Sequence, residues 1–210
     1  MLNFAAFRRH VLVVAASAAA ALFTGPAVAA AAVGQPAPDF TLTDTTGKAV
    51  RLSDFKGKHV VLEWTNPGCP FVRKHYDSAN MQTLQKESVG KGVVWLAVNS
   101  TENASGDYLA PQQLARWMTG QKAAPSATLM DEEGTAGKAY GARTTPHMYV
   151  VNPQGTLIYA GGIDSIPSAR QDDIKTATNY VRQGLAEALA GKPLSAPSTR
   201  PYGCSIKYKS

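Results

Sequence analysis

Cysteine is scarce: the 210 residues contain two, Cys69 and Cys204. That excludes a dense disulfide scaffold and a zinc-type Cys/His cluster, and it excludes a Cys-x-x-Cys pair for local dithiol exchange. Histidine is sparse as well, with four residues, His10, His59, His75 and His147, in no metal-binding spacing. Charge of one sign does not accumulate. Lys and Arg number 21 against 15 Asp and Glu, and no aromatic–basic stripe accompanies them, so a nucleic-acid partner is not expected. No apolar run long enough to span a membrane occurs after residue 30, and no internal repeat is visible.

The apolar run that is present, "VLVVAASAAAALF" (11–23), is shorter than the roughly 20 residues a spanning helix needs. It follows Arg8, Arg9 and His10 and precedes "TGPAVAA" (24–30), with small residues at Ala27 and Ala29. This is the order of a secretory signal peptide, cut near Ala29 or Ala30. Its removal takes two of the 21 basic residues and leaves a net charge of about +4. The twin arginine of "FRRHVL" leaves both the Sec and the Tat route open. The expected organisation is a signal peptide over 1–30, one domain over 31–191, and a tail over 192–210 carrying Cys204. A mature chain without membrane association, delivered across the inner membrane to the periplasm, follows from that division.

An exported chain keeps its cysteines in an oxidising compartment, where a pair defaults to a disulfide. A structural Cys69–Cys204 bridge is therefore the plain expectation. Local context decides whether the sulfurs do more.

"KHVVLEW" (58–64) and "GVVWLAVNS" (92–100) read as buried strands. Between them, "PFVRKHYDSANMQTLQKESV" (70–89) reads as helix broken near "DSAN", completing a β-α-β unit with parallel strands. "APQQLARWMTG" (110–120) and "EGTAGKAYG" (133–141) read as short helices, and "SATLMD" (126–131) as a strand. "HMYVVNPQGTLIYAGG" (147–162) reads as a hairpin turning at "NPQG". The stretch 172–191 places Ile174, Ala177, Val181, Leu185 and Leu189 on one stripe, which predicts a single long helix. The fold class is α/β, with a mixed central sheet flanked by helices.

In this order Cys69 follows a central strand and opens a helix, with Pro70 at the first helical position. The positive end of the helix and the nearby Arg73, Lys74 and His75 favour a thiolate there. Cys204, in "PYGCSIKYKS", falls in a basic tail with no defined site. Glu63 is an acid in a buried-looking strand. It is expected to pair with Arg73, Lys74 or Arg143, the alternative being a proton relay for Cys69. Trp64 is expected to pack in the core rather than to shield the site.

"VGQPAPDFTLTDTTGKAVRLSDFKGKHVVLEW" (33–64), the Cys-opened helix and "TTPHMYVV" (144–151) resemble, in that order, the redoxin group of the thioredoxin superfamily. This group includes the alkyl hydroperoxide reductase/thiol-specific antioxidant, or peroxiredoxin, family. The resemblance implies a thioredoxin-like fold and thiol redox chemistry without metal or organic cofactor. "RTTPH" (143–147) resembles the segment in which a cis-proline, here Pro146, packs beside the reactive cysteine and the residue before it, here Thr145, offers its backbone to a partner. That implies Arg143 and His147 near Cys69.

The chain departs from both motifs of the superfamily. Asn66 stands where a thioredoxin has its first cysteine and a peroxiredoxin its threonine, and Thr65 is displaced by one position. Leu62 stands in place of the peroxiredoxin proline, so "NPGCPFV" (66–72) resembles a divergent branch of the family. The resemblance implies a Cys69 thiolate that attacks a peroxide or a disulfide. Cys204 would resolve the product, and an external thiol would reduce the pair. Two other readings are carried forward: a non-catalytic binding module with a fixed disulfide, and a copper carrier using Cys69, His75 and His147.

Overall fold

The computed structural model describes Met1 and residues 31–209, so the expected signal peptide over 1–30 lies, Met1 apart, outside the described residues. Three strands form the parallel centre of the sheet: Val60–Trp64 (β3), Val94–Asn99 (β4) and Ala127–Met130 (β5). Their β-branched, nearly unbroken apolar sequences suit strands covered on both faces. Antiparallel strands complete the sheet: Thr41–Asp44 (β1) beside Ala49–Arg51 (β2) at one edge, and His147–Val151 (β7) beside Leu157–Gly161 (β8) at the other. The order is β2-β1-β5-β4-β3-β7-β8, with β4 central and β3 beside it, and a separate pair joins Thr144–Thr145 (β6) to Cys204–Ser205 (β9).

Alternation along the strands divides the core in two. Val61 and Trp95 pack with Tyr76, Met81, Leu114 and Val181. These come from helices Pro70–Asp77 (α1), Asn80–Gly90 (α2), Pro111–Gly120 (α3) and Tyr180–Leu189 (α5). Leu62, Trp64 and Leu96 face the other way, against Tyr140 of helix Thr135–Tyr140 (α4) and against Phe40 and Tyr149. Helices on both faces of a mixed sheet make this a thioredoxin-like α/β fold. Trp64 lies wholly in the second layer, its indole N–H donating to Ser100 Oγ at 2.9 Å, which places it in the core and not over Cys69.

Two expectations are corrected. The single helix over 172–191 is a 3-10 turn at Gln171–Lys175 followed by α5. Asn179 starts α5 by accepting the Arg182 N–H at 2.9 Å, a cap that overrides the apolar stripe, so Ile174 and Ala177 never join it and Leu189 is exposed. The tail, expected to give Cys204 no defined site, is held by hydrogen bonds. Pro197 and Thr199 bond the backbone of Ala160, Thr199 Oγ1 meets Gly162 N and Tyr159 OH, Ile206 N donates to Arg143 O, and Lys207 O accepts from Glu102 N. The bonds to Ala160 satisfy backbone groups on the outer edge of β8.

Candidate active site

The loop between β3 and α1 is held by Asn66. Its amide donates to Thr101 Oγ1 at 2.7 Å and to Asp107 O at 3.3 Å, while its carbonyl oxygen accepts the Gly68 N–H at 2.7 Å. Asn66 thus clamps the cysteine loop to the segment after β4 and has no donor left over for a bound oxidant. Thr65, one residue earlier, is buried, and its hydroxyl has no hydrogen-bond partner among the described residues. Cys69 is the N-cap of α1, in extended conformation, with Pro70 following and no side-chain cap on the first turn. The free N–H groups of that turn, at Phe71 and Val72, leave the positive end of the helix dipole beside the sulfur.

Facing Cys69 is the end of β6. The Thr145–Pro146 bond is cis, and Thr145 O lies 3.0 Å from Cys69 Sγ. β9 runs antiparallel to β6 with Cys204 opposite Thr145, and Cys204 is bonded to Cys69 as a disulfide, Cα to Cα 5.9 Å. Cys69 is buried and Cys204 half-buried. Gly203 has φ +143°, and a Cβ there would fall on the Thr145 carbonyl. Only glycine lets the tail come this close to β6. A cleft of about 40 Å³ opens beside the disulfide, edged by Asn66, Gly68, Thr101, Asp107 and Lys207.

The basic residues expected around Cys69 divide. Arg73 is exposed and its Nε donates to Pro67 O at 2.8 Å, bracing the cysteine loop. Lys74 and His75 turn inward from α1 to Asp164, 3.1 and 3.7 Å away. Arg143 is exposed and gives its carbonyl to Ile206 N. His147 belongs to the opposite side of the sheet: paired with Trp64, it stacks on Tyr149 and takes the Arg143 N–H on Nδ1 at 3.3 Å. Neither Arg143 nor His147 lines the cleft: Arg143 is exposed, and His147, after the cis-proline, packs on Tyr149 of the Trp64 layer. Among the described residues no group of three His, Cys, Asp or Glu gathers in metal-binding geometry, and His75 is committed to Asn80 and Tyr202.

Among the described residues Glu63 makes no ion pair, contrary to the expected partnership with Arg73, Lys74 or Arg143. Its carboxylate accepts from Tyr76 OH and Trp95 Nε1, each at 2.7 Å, and from Gln85 Nε2 at 3.1 Å. Three neutral donors replace the cation because β3 turns Glu63 under α1 and α2, while Lys74 points to Asp164. Burial raises the Glu63 carboxyl above its ordinary 4.5, and the three hydrogen bonds oppose the shift. A raised native pKa adds stability below pH 4.5 that is lost as pH rises through the native value. His75 and His147, both pushed by burial from 6.5 down to about 4, act in the opposite sense: their contribution is present above pH 6.5 and lost toward pH 4. The Glu63→Gln variant isolates the first effect. Its urea-unfolding free energy, subtracted from that of the parent at each pH, is expected to show the parent losing relative stability as pH rises above 4.5, and a pH-independent difference contradicts this.

Lys74, Asp164 and Tyr202 form a buried cluster not anticipated from the sequence. Asp164 lies in a loop and Tyr202 in the tail, where no periodicity marks them; the one cue is an aromatic residue and a glycine directly before Cys204.

Comparison with known proteins agrees with this geometry. The model of the AhpC/TSA family matches residues 33–160. Thiol-disulfide oxidoreductase ResA of Bacillus subtilis is 26% identical over 125 residues, 60% of this chain and 64% of ResA, so the chain spans just under two thirds of that relative. Thioredoxin-like protein YneN of the same organism is 32% identical over 124 residues, 59% of this chain and 68% of YneN. Among solved structures, an uncharacterized conserved protein from Geobacillus kaustophilus superposes with a TM-score of 0.71 at 28% identity, covering 85% of this chain and 93% of the other. The family match runs from the segment before β1 into β8 and takes in Cys69, its helix and the cis-proline, and on that span the chain belongs to the AhpC/TSA family.

Proposed function

We propose that the protein is an extracytoplasmic thiol oxidoreductase in which Cys69 is the attacking sulfur and Cys204 the resolving one. The observation that carries the reading is the bond between these two sulfurs, one at an uncapped helix start and the other on a strand laid along the cis-proline segment. The open first turn favours the anion on Cys69. With a disulfide substrate, the Cys69 thiolate forms a mixed disulfide and releases one substrate thiol. The Cys204 thiolate then attacks Cys69 Sγ, releases the second thiol and closes the internal disulfide. With a peroxide, the same sulfur takes one oxygen, becomes a sulfenic acid and releases an alcohol or water; condensation with Cys204 then releases water. Either way two electrons leave the cysteine pair, and an external thiol must restore them. The chemistry asks for no metal or organic cofactor.

Small oxidants are favoured by the cleft, which has room for a molecule the size of water or hydrogen peroxide. Disulfide exchange is favoured by the kinship with ResA, a protein named for that activity. Asn66 tips the balance toward disulfides, since its side chain is spent on the loop. The test is non-reducing mass spectrometry of the reduced protein after one equivalent of hydrogen peroxide or of a disulfide-bonded peptide. Loss of two hydrogens with a Cys69–Cys204 linkage is expected in both arms, faster with the peptide. A Cys69 that stays a thiol in both arms overturns the reading.

A further inference from the structure

Tyr202 stands two residues before Cys204 and is seated on α1, the helix that Cys69 opens. Its hydroxyl donates to Asp164 Oδ1, and it accepts from Lys74 Nζ and from His75 Nε2, each at 3.3 Å. The histidine tautomer is set on its other side, where Asn80 Nδ2 donates to Nδ1 at 2.8 Å and leaves Nε2 to carry the proton. Lys74 uses all three of its protons, on Asp164 Oδ2, Ile166 O and Tyr202 OH. The Tyr202 ring packs edge-on to Phe71, centroids 5.8 Å apart, and lies 5.5 Å from Lys74 Nζ. Every polar group in the cluster is thus paired, and removing the tail leaves Lys74, His75 and Asp164 each short of one partner in a buried place.

None of these contacts involves sulfur, so opening the disulfide removes none of them directly. We propose that Tyr202 is a positioning residue for the cysteine couple. Docked in the Lys74–His75–Asp164 cluster, it keeps Cys204 against Cys69 in the dithiol state and raises the effective concentration at which Cys204 closes the bond. The inference rests on the reading that Cys69 and Cys204 cycle between dithiol and disulfide.

The test is the equilibrium constant for closing the bond, measured in dithiothreitol buffers. The internal disulfide takes two electrons and two protons from dithiothreitol, which becomes its cyclic disulfide. Tyr202→Ala is expected to lower the constant about tenfold, equivalent to a potential about 30 mV less negative. Tyr202→Phe, which keeps the ring and loses the hydroxyl, is expected to fall between that variant and the parent. Circular dichroism of the reduced proteins establishes folding, and Tyr202→Phe decides the matter if the alanine variant does not fold. A constant for folded Tyr202→Phe within error of the parent overturns the proposal. No turnover enters the measurement, so the two readings fail separately: a parent inert to both oxidants removes the proposed function alone, while an active parent with unchanged constants removes the role of Tyr202 alone.

Discussion

Cys69→Ser is expected to abolish turnover with peroxide and with disulfides alike, a loss on the order of 10³-fold or more, the scale on which removal of a covalent nucleophile is felt. Serine at an uncapped helix start is a good N-cap, so the start of α1 itself is kept. Cys204→Ser is expected to behave differently. The first attack survives and the second does not, so the protein accumulates as a mixed disulfide or a sulfenic acid on Cys69, visible as a stable mass adduct after one equivalent of oxidant. Loss of the disulfide costs both variants about 5 kcal/mol in the chain-entropy model, for a bridge that spans 135 residues. The hydrogen bonds that stitch the tail to Ala160, Arg143 and Glu102 involve neither sulfur and are untouched by both substitutions. Steady-state assays with each oxidant, beside intact mass spectra, check both halves. Retention of more than about a tenth of the parent rate in Cys69→Ser defeats the assignment of Cys69, since losing a nucleophile leaves far less. Equal activity of Cys204→Ser and parent, with no adduct, reduces Cys204 to a structural staple.

The second large effect is on stability. Lys74 and Asp164 form an ion pair whose side chains are 0% and 3% exposed, and neither charge has water to fall back on. Removing one member of such a pair leaves the other uncompensated, at a cost of about 3–5 kcal/mol. Asp164→Leu is therefore expected to lose that amount, since it strands Lys74 and also takes the acceptor from Tyr202 OH. Lys74→Met is expected to lose a comparable amount. The double variant removes both charges and is expected to lose clearly less than the two single losses together, with a coupling of about 1–3 kcal/mol for groups in one network. Urea unfolding of the four reduced proteins measures this. Additive losses would mean that the buried charges do not sense each other, against their 3.1 Å separation. The total stability of a domain this size is about 5–15 kcal/mol, so either single change uses up a large share of it.

The sequence is informative where a local rule acts alone. The β3-α1-α2-β4 unit, the break at "DSAN", the β7–β8 hairpin and α3 each follow from hydrophobic period and turn residues within one window, and each is found within a few residues of its expected place. The position of Cys69 after β3 was readable for the same reason. Where several segments compete, the reading stops. β2 is the edge strand and β1 its neighbour, both short and alternating in exposure, so neither gives an apolar run. The stripe over 172–191 is genuine as a pattern, yet the Asn179 cap ends the match before α5 begins. Glu63 was legible as buried but not its partners, because Tyr76, Gln85 and Trp95 come from three different elements. His147 was expected near Cys69 from the cis-proline segment, and strand alternation sends it to the other face. The seat of Cys204 was out of reach for a related reason: it depends on Gly203 tolerating φ +143° and on Tyr202 finding a cluster assembled from α1 and the loop at Asp164.

The span between the two sulfurs also orders the birth of the protein. Synthesis proceeds from the N-terminus, so Cys69 emerges 135 residues ahead of Cys204. Every strand of the seven-stranded sheet is already made when the second sulfur appears. With only two cysteines in the chain, just one internal pairing exists, and no shuffling among wrong bridges can delay maturation. Until residue 204 arrives, the sulfur at 69 has no partner in the sequence already made, and what it meets in that interval belongs to other molecules.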